Sequence, residues 1–224
     1  MKTYQLHLFD GHPIIHDGDN IILIDTGAPS TIHTLGILTF GTTQYHCTSN
    51  YMGLTVAELS NLLGTKITTL LGSDVLSKYK ILFDYRNGLV TFSEDEISID
   101  GIQTDITNFM GIPIIEMSID GTSLKFFLDT GAKLSYLPNS LTRNYTSIGT
   151  LEDFYPGFGT FKTECVEIPT RFEEAEFTVK YGNLPELLQA TLIMGGTNGI
   201  IGFDFFYNFK LVLDLKNNLL TYGY

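Results

Sequence analysis

Residues 11–30, GHPIIHDGDNIILIDTGAPS, and residues 111–135, GIPIIEMSIDGTSLKFFLDTGAKLS, are two versions of one pattern. Each opens Gly-x-Pro-Ile-Ile, passes an Asp-Gly turn, and climbs an apolar run that ends in Asp-Thr-Gly-Ala. Asp-Gly between apolar runs marks a hairpin. A second pair, residues 70–94 and 200–224, aligns without a gap and sets Gly72 against Gly202, Asp74 against Asp204, Lys80 against Lys210 and Asp84 against Asp214. Each member reads as an apolar strand, a glycine, a short helical turn and a hairpin. Such duplication restricts the fold severely, because whatever one copy builds the other must build again. The expected organisation is a lobe over 1–97, a linker over 98–105 and a lobe over 106–224. The linker lies in the acidic stretch EDEISIDGIQTD (94–105), where ISIDGIQ also has a strand pattern. The copies diverge between their two blocks. Asp25 precedes Gly72 by 47 residues and Asp129 precedes Gly202 by 73, so the second copy carries 26 extra.

Most of the remainder alternates or runs apolar in short strands, and the 16 Phe and 12 Tyr suit that state. The expected class is all-β with short helices. TVAELSNLL (55–63) has a Thr cap, Glu58 at the capping-box position and apolar residues three and four apart, which predicts a helix. LPELLQATL (184–192) and PNSLTRNY (138–145) are further helix candidates. With 43% hydrophobic and 17% charged residues the chain can bury a core. Its net charge of −12 argues against a nucleic-acid groove and against an anionic membrane surface. No apolar run has the length of a membrane span. The opening MKTYQLHLFDGHPII alternates apolar with polar residues, which is not the pattern of a secretory leader. A cytoplasmic protein is expected. Cys47 and Cys165 match no metal spacing, which leaves two free thiols or one disulfide.

Two carboxylates at the tips of two equivalent strands suggest joint chemistry. A water attacking a peptide carbonyl needs one group to take a proton and another to give one, and two carboxyls sharing a proton do both. Like charges held together resist double ionisation, so the pair titrates as a unit. Gly27 and Gly131 allow a tight turn whose N–H groups point back at the carboxylates. The Thr26 and Thr130 hydroxyls are placed to tie the tips together. The catalytic candidates are Asp25 and Asp129, and no metal or cofactor is required.

On these residues the chain resembles the pepsin/retropepsin-type aspartic proteases. The resemblance rests on the two apolar-Asp-Thr-Gly-Ala motifs, with Ala28 and Ala132 in fourth place, and on apolar-apolar-Gly in TTLLGSD (68–74) and NGIIGFD (198–204). It covers nearly the whole chain and looks like two retropepsin-sized units fused, so a monomer is expected. It implies two pseudo-symmetric lobes, an active cleft between them, and Gly72 and Gly202 crossing behind the catalytic loops. Pepsins usually carry Ser or Thr where Ala28 and Ala132 stand. Losing that hydroxyl donor lets the dyad titrate higher, so activity is expected at mildly acidic to neutral pH.

The family covers its substrate with a β-hairpin flap, and two segments qualify here. ILTFGTTQYHCTSNYMG (37–53) makes a small hairpin with Tyr45 or Tyr51 near its end. DFYPGFGTFKTE (153–164) has a Pro-Gly-Phe-Gly turn that offers Tyr155 and Phe158. The substrate expected is an extended peptide or protein segment pairing with strand edges in the cleft. The alternative is a non-catalytic peptide-binding module on the same fold with a reduced flap. Asp74 and Asp204 read as helix caps, and Asp84 and Asp214 as acceptors for turn amides. His12 and His16 are four apart, but Pro13 removes the helix that would make them a metal pair.

Overall fold

The computed structural model describes the backbone of residues 1–224 and every side chain except that of Leu187. Three large sheets and two two-stranded hairpins carry the chain, and the layout of the large sheets follows the duplication. In the first half the sheet order is His7–Phe9, His12–Asp17, Asn20–Ile24, Thr69–Leu71, Ile32–His33. The second half repeats that path as Thr107–Phe109, Ile112–Ile119, Thr122–Leu128, Gly199–Ile201, Ser135–Leu137. It then continues through Ala175–Asn183, Gly159–Phe172 and Ser147–Tyr155, which use most of the extra residues of the second copy. In both halves the strand that ends at Asp-Thr-Gly pairs in parallel with the strand that ends at apolar-apolar-Gly, Ile24 against Leu71 and Leu128 against Ile201. This is the all-β, two-lobed architecture expected from the pattern.

A third, six-stranded sheet joins the halves, in the order Lys2–Gln5, Leu89–Ser93, Lys80–Asp84, Lys210–Asp214, Leu219–Gly223, Ile102–Asp105. Its centre is the antiparallel pairing of Lys80–Phe83 with Leu211–Asp214. Ile102–Asp105 falls within the expected linker, yet it pairs with Leu219–Tyr222. Half of that segment is therefore strand, the counterpart of Lys2–Gln5 in the first half. Pairing satisfies its backbone groups, which a free linker would leave to water.

One hydrophobic cluster runs through the shared sheet and includes Ile81, Phe83, Phe206, Leu211 and Leu213. The Phe83 and Phe206 rings meet edge to face at 5.3 Å. Two smaller clusters sit under the cleft walls and are near copies. Ile14, Leu23 and Leu70 hold the helix Val56–Leu63 through Leu59 and Leu63, while Ile114, Phe127 and Ile200 hold Glu186–Gly195 through Leu188 and Leu192. Burying each such side chain contributes about 1.5–3 kcal/mol. The first of these helices has the expected cap. Glu58 N–H donates to Thr55 Oγ1 at 3.3 Å, Thr55 N–H donates to Glu58 Oε2 at 2.8 Å, and Gly64 closes the helix at φ 73°.

The expected capping roles of Asp74 and Asp204 need correction. The N-cap positions of Ser73–Leu76 and Phe203–Asn208 are Gly72 and Gly202, without a side-chain bond. Asp74 lies inside the first turn, where its Oδ1 accepts from the N–H and hydroxyl of Thr31 at 2.9 and 2.6 Å as well as from Val75 N–H. Asp204 accepts from Lys180 N–H at 2.8 Å. Both carboxylates therefore tie their short helix to a neighbouring strand or loop. Asp84 and Asp214 do accept from the turn amides of Asn87 and Asn217.

Candidate active site

The parallel strand pairs fix where each Asp-Thr-Gly loop begins. Asp25 N–H donates to Leu71 O at 3.0 Å and Asp129 N–H to Ile201 O at 2.9 Å. Behind each loop the chain crosses at a glycine. Ser73 N–H reaches Ala28 O and Phe203 N–H reaches Ala132 O, while Gly72 N–H is held by Thr31 Oγ1 and Gly202 N–H by Ser135 Oγ. A Cβ at Gly202 would lie 2.2 Å from Ala132 O, and one at Gly72 would lie 2.7 Å from Ser30 O. Only glycine permits so close a crossing.

Thr26 and Thr130 lock the two loops to each other. Thr26 N–H donates to Thr130 Oγ1 and Thr130 N–H to Thr26 Oγ1, both at 2.9 Å. The hydroxyls continue across, Thr26 Oγ1 to Leu128 O and Thr130 Oγ1 to Ile24 O, at 2.7 and 2.8 Å. Both threonines are buried. Four buried bonds between two loops fix their spacing, because leaving any of these groups unpaired would cost about 1–3 kcal/mol.

The carboxyls of Asp25 and Asp129 are consequently brought together, close enough for each to shift the other's pKa. Gly27 N–H donates to Asp25 Oδ1 at 2.9 Å and Gly131 N–H to Asp129 Oδ1 at 2.8 Å. Each carboxyl also packs over the opposite glycine. A Cβ on Gly27 would lie 2.3 Å from Asp129 Cγ, and one on Gly131 would lie 2.6 Å from Asp25 Cγ. Burial raises Asp25 well above the usual carboxylate range, and the Asp129 charge adds to the rise. Burial also pushes Asp129 up to about 6, against the lowering effect of the Gly131 N–H and the Asp25 hydrogen bond. Two carboxyls so placed resist double ionisation and titrate as a pair.

Two cavities flank the dyad. One, of about 80 Å³, is lined by His12, Leu23, Leu63, Leu70, Asp153 and Phe161, among others. The other, of about 280 Å³, is lined by Met52, Met110, Ile112, Phe127, Met194 and others. Asp129, Gly27, Tyr51, Tyr155 and Ile200 border both. Tyr51 and Tyr155 stand at the ends of two hairpins, Asn50–Tyr51 with Leu54–Thr55 and Ser147–Tyr155 with Gly159–Phe172. The tips touch, since a Cβ at Gly157 would lie 3.4 Å from Met52 O. Both halves thus send a hairpin over the carboxyls. Burial pushes both tyrosine hydroxyls up, and the negative charge of the dyad adds to it, so they stay protonated donors.

Two expected substrate-binding residues lie elsewhere. Tyr45 is on the separate hairpin Ile37–Phe40 with Thr43–His46, where it packs against the main core and its hydroxyl meets Tyr79 Oη at 3.0 Å. Tyr51, six residues on, takes the cleft position. Phe158 sits at the tip as expected, but it is 39% exposed and rests on Phe161. Phe158 lines neither cavity beside the dyad, and Phe161 lines the smaller one instead. No sequence signal places His12 or Asp153 here, since 141 residues separate them. Cys47 and Cys165 are free thiols. Among the described residues no cluster is arranged to hold a metal ion, and no helix is long and apolar enough to cross a membrane.

No protein-family model and no curated sequence matches this chain. Among solved structures it is similar to the simian foamy virus (mac) protease, with 16% identity and a TM-score of 0.30 over 40% of this chain and 86% of that one. It is also similar to a retropepsin-like aspartic protease from Rickettsia conorii, with 17% identity and a TM-score of 0.40 over 58% of this chain and 97% of that one.

Proposed function

We propose that the protein is an aspartic endopeptidase that builds its dyad from Asp25 and Asp129 of one chain. The observation that carries this reading is the paired carboxyls. Each accepts from the N–H of its own glycine, and both sit on loops locked by the reciprocal threonine bonds. In the reaction, the unprotonated carboxylate takes a proton from a water as the water oxygen attacks the scissile carbonyl carbon. The protonated partner gives its proton to the carbonyl oxygen. The tetrahedral diol then collapses: one carboxyl gives its proton to the amine nitrogen as the C–N bond breaks, the other carboxylate takes a proton from a diol hydroxyl as that oxygen re-forms the carbonyl, and the pair is left sharing one proton again. The half-buried Tyr51 and Tyr155 and the two hairpin tips shield this step from bulk water. The touching tips must separate to admit a peptide, which is a gating motion of the kind that often limits turnover.

The rest of the proposal follows from the duplication. The lobes span residues 1–97 and 106–224, a monomer suffices because one chain supplies both motifs, and the substrate is an extended peptide in the cleft between them. The raised dyad pKa supports work at mildly acidic to neutral pH, compatible with the cytoplasm.

The test is incubation with a diverse peptide library from pH 3 to 8, read by mass spectrometry, beside Asp25→Asn and Asp129→Asn. Cleavage by the wild type and its loss by at least about a thousandfold in each variant is expected, as for a group that acts as a unit. No cleavage at any pH by a folded wild type would replace the endopeptidase with a peptide-binding module.

A further inference from the structure

The duplication makes the two cavities beside the dyad comparable position by position. His12 of one occupies the repeat position of Ile112 in the other, Leu23 that of Phe127, and Leu70 that of Ile200. The hairpin turns before them have the same backbone, φ 47° and 84° at Asp10 and Gly11 against 54° and 85° at Met110 and Gly111. The chemistry nevertheless differs. Asp10 stands against Met110, His12 against Ile112, and Lys133 against Pro29. At all three positions one side is polar and the other apolar. The larger cavity is also rimmed by Met52, Met110 and Met194, pliable side chains suited to varied apolar groups.

The polar side contains a built acceptor set. His12 is 3% exposed, and its Nδ1 lies 3.2 Å from Phe9 O, which can only accept. Nδ1 therefore carries the hydrogen and Nε2 is left as an acceptor. Burial lowers the imidazole pKa, which keeps the ring neutral. Asp153 is 7% exposed; its carboxylate accepts from Tyr136 Oη and from Phe154 N–H. Two donors leave about half of the carboxylate's lone pairs free. The neighbouring Lys133 is spoken for by Asp10, at 2.8 Å against 3.9 Å to Asp153. These four groups sum to one negative charge beside the negative dyad. A volume of about 80 Å³ is several times the ~10–15 Å³ that one water needs, enough for a long, thin side chain.

We propose that the cleft is asymmetric towards its substrate: the His12–Asp153 cavity takes a lysine or arginine on one side of the scissile bond, and the methionine-rimmed cavity takes an apolar residue on the other. The cation completes the unused acceptors, and the net charge of −12 favours its approach. The inference rests on the endopeptidase reading for the word scissile, but the subsites themselves do not depend on turnover.

The experiment uses two peptides that share an apolar residue on one side and differ by lysine or norleucine on the other. Cleavage is followed in competition, and reduced-amide versions that cannot be cut are titrated calorimetrically. The proteins are the wild type, His12→Ile and Asp153→Asn. The wild type is expected to favour lysine about 10- to 100-fold, the worth of a charge-assisted bond in a dry site. Each variant is expected to cut that ratio about tenfold or more. Equal use of both peptides by the wild type would overturn the proposal, as would an unchanged ratio in both folded variants. If the variants do not fold, the wild-type ratio alone decides. Selective binding without cleavage would keep the subsite and reject the endopeptidase, and binding of neither peptide would reject both.

Discussion

Asp129 holds its proton to about pH 6 because burial raises its pKa, and that has a consequence for stability as well as for chemistry. In the unfolded chain the same group ionises near 3.9. Between about pH 4 and pH 6 the native state therefore binds more protons than the unfolded state, so stability falls as pH rises through that window. Asp129→Asn removes this group's titration and leaves Asp25 to titrate alone, and its amide oxygen can still accept from Gly131 N–H. The variant is expected to be more stable than the wild type at pH 7, by up to about 3 kcal/mol from a shift of this size, with the gap largely closed at pH 4. Thermal melts at the two pH values check this. A difference between the proteins that does not change with pH would mean that the dyad is not strained by its own charge. It would also remove the basis for expecting activity near neutrality.

The hairpins over the dyad are the elements where sequence and structure part company most. The strands that carry Asp25 and Asp129, the glycine crossings and the helix Val56–Leu63 were legible because each depends on a local signal: Asp-Thr-Gly-Ala after an apolar run, Gly72 and Gly202 at equal repeat positions, and the Thr55–Glu58 capping box. The flap residues carry no such signal. Tyr45 and Tyr51 both alternate in short strands, and only the three-dimensional path sends one to Tyr79 and the other to the cleft. His12 and Asp153 meet only because the second half's hairpin folds over the first half's cavity. The tip contact itself can be tested at Gly157, whose φ of 78° disfavours any β-branched residue and whose Cβ would come into van der Waals contact with Met52. Gly157→Val is expected to cost about 1–3 kcal/mol locally, displace the tip and lower kcat/KM about tenfold or more, with global unfolding changed far less. Steady-state kinetics beside urea unfolding separate the two effects. A normal kcat/KM would show that the second hairpin does not cover the substrate.

The two lobes share a sheet and exchange charges across it, so they are expected to unfold as one unit. In the pairing of Lys80–Phe83 with Leu211–Asp214, each lysine meets the other half's aspartate. Lys80 Nζ lies 3.3 Å from Asp214 Oδ2 and Lys210 Nζ 3.2 Å from Asp84 Oδ2. Burial works to raise both carboxyls, but bonds from Asn87 and Lys210 to Asp84, and from Asn217 and Lys80 to Asp214, outweigh it and hold them below their ordinary values. A depressed carboxyl pKa contributes stability above the unfolded value, and that contribution is lost as pH falls through the folded one. The aspartate side chains are 8% and 9% exposed, so these pairs should count for more than surface ion pairs do. Lys80→Ala combined with Lys210→Ala strands both carboxylates and is expected to cost about 1–3 kcal/mol near pH 7. The loss should shrink below about pH 4, where the carboxyls take up protons. Because the aromatic core continues across the same sheet, unfolding should remain a single cooperative transition in the variant as in the wild type. Urea denaturation followed by tyrosine fluorescence and far-UV circular dichroism checks both points at once. Two separated transitions in the wild type would mean that each lobe is stable alone. The shared sheet would then be a contact between two finished domains, and the spacing of the dyad would rest on the threonine bonds alone.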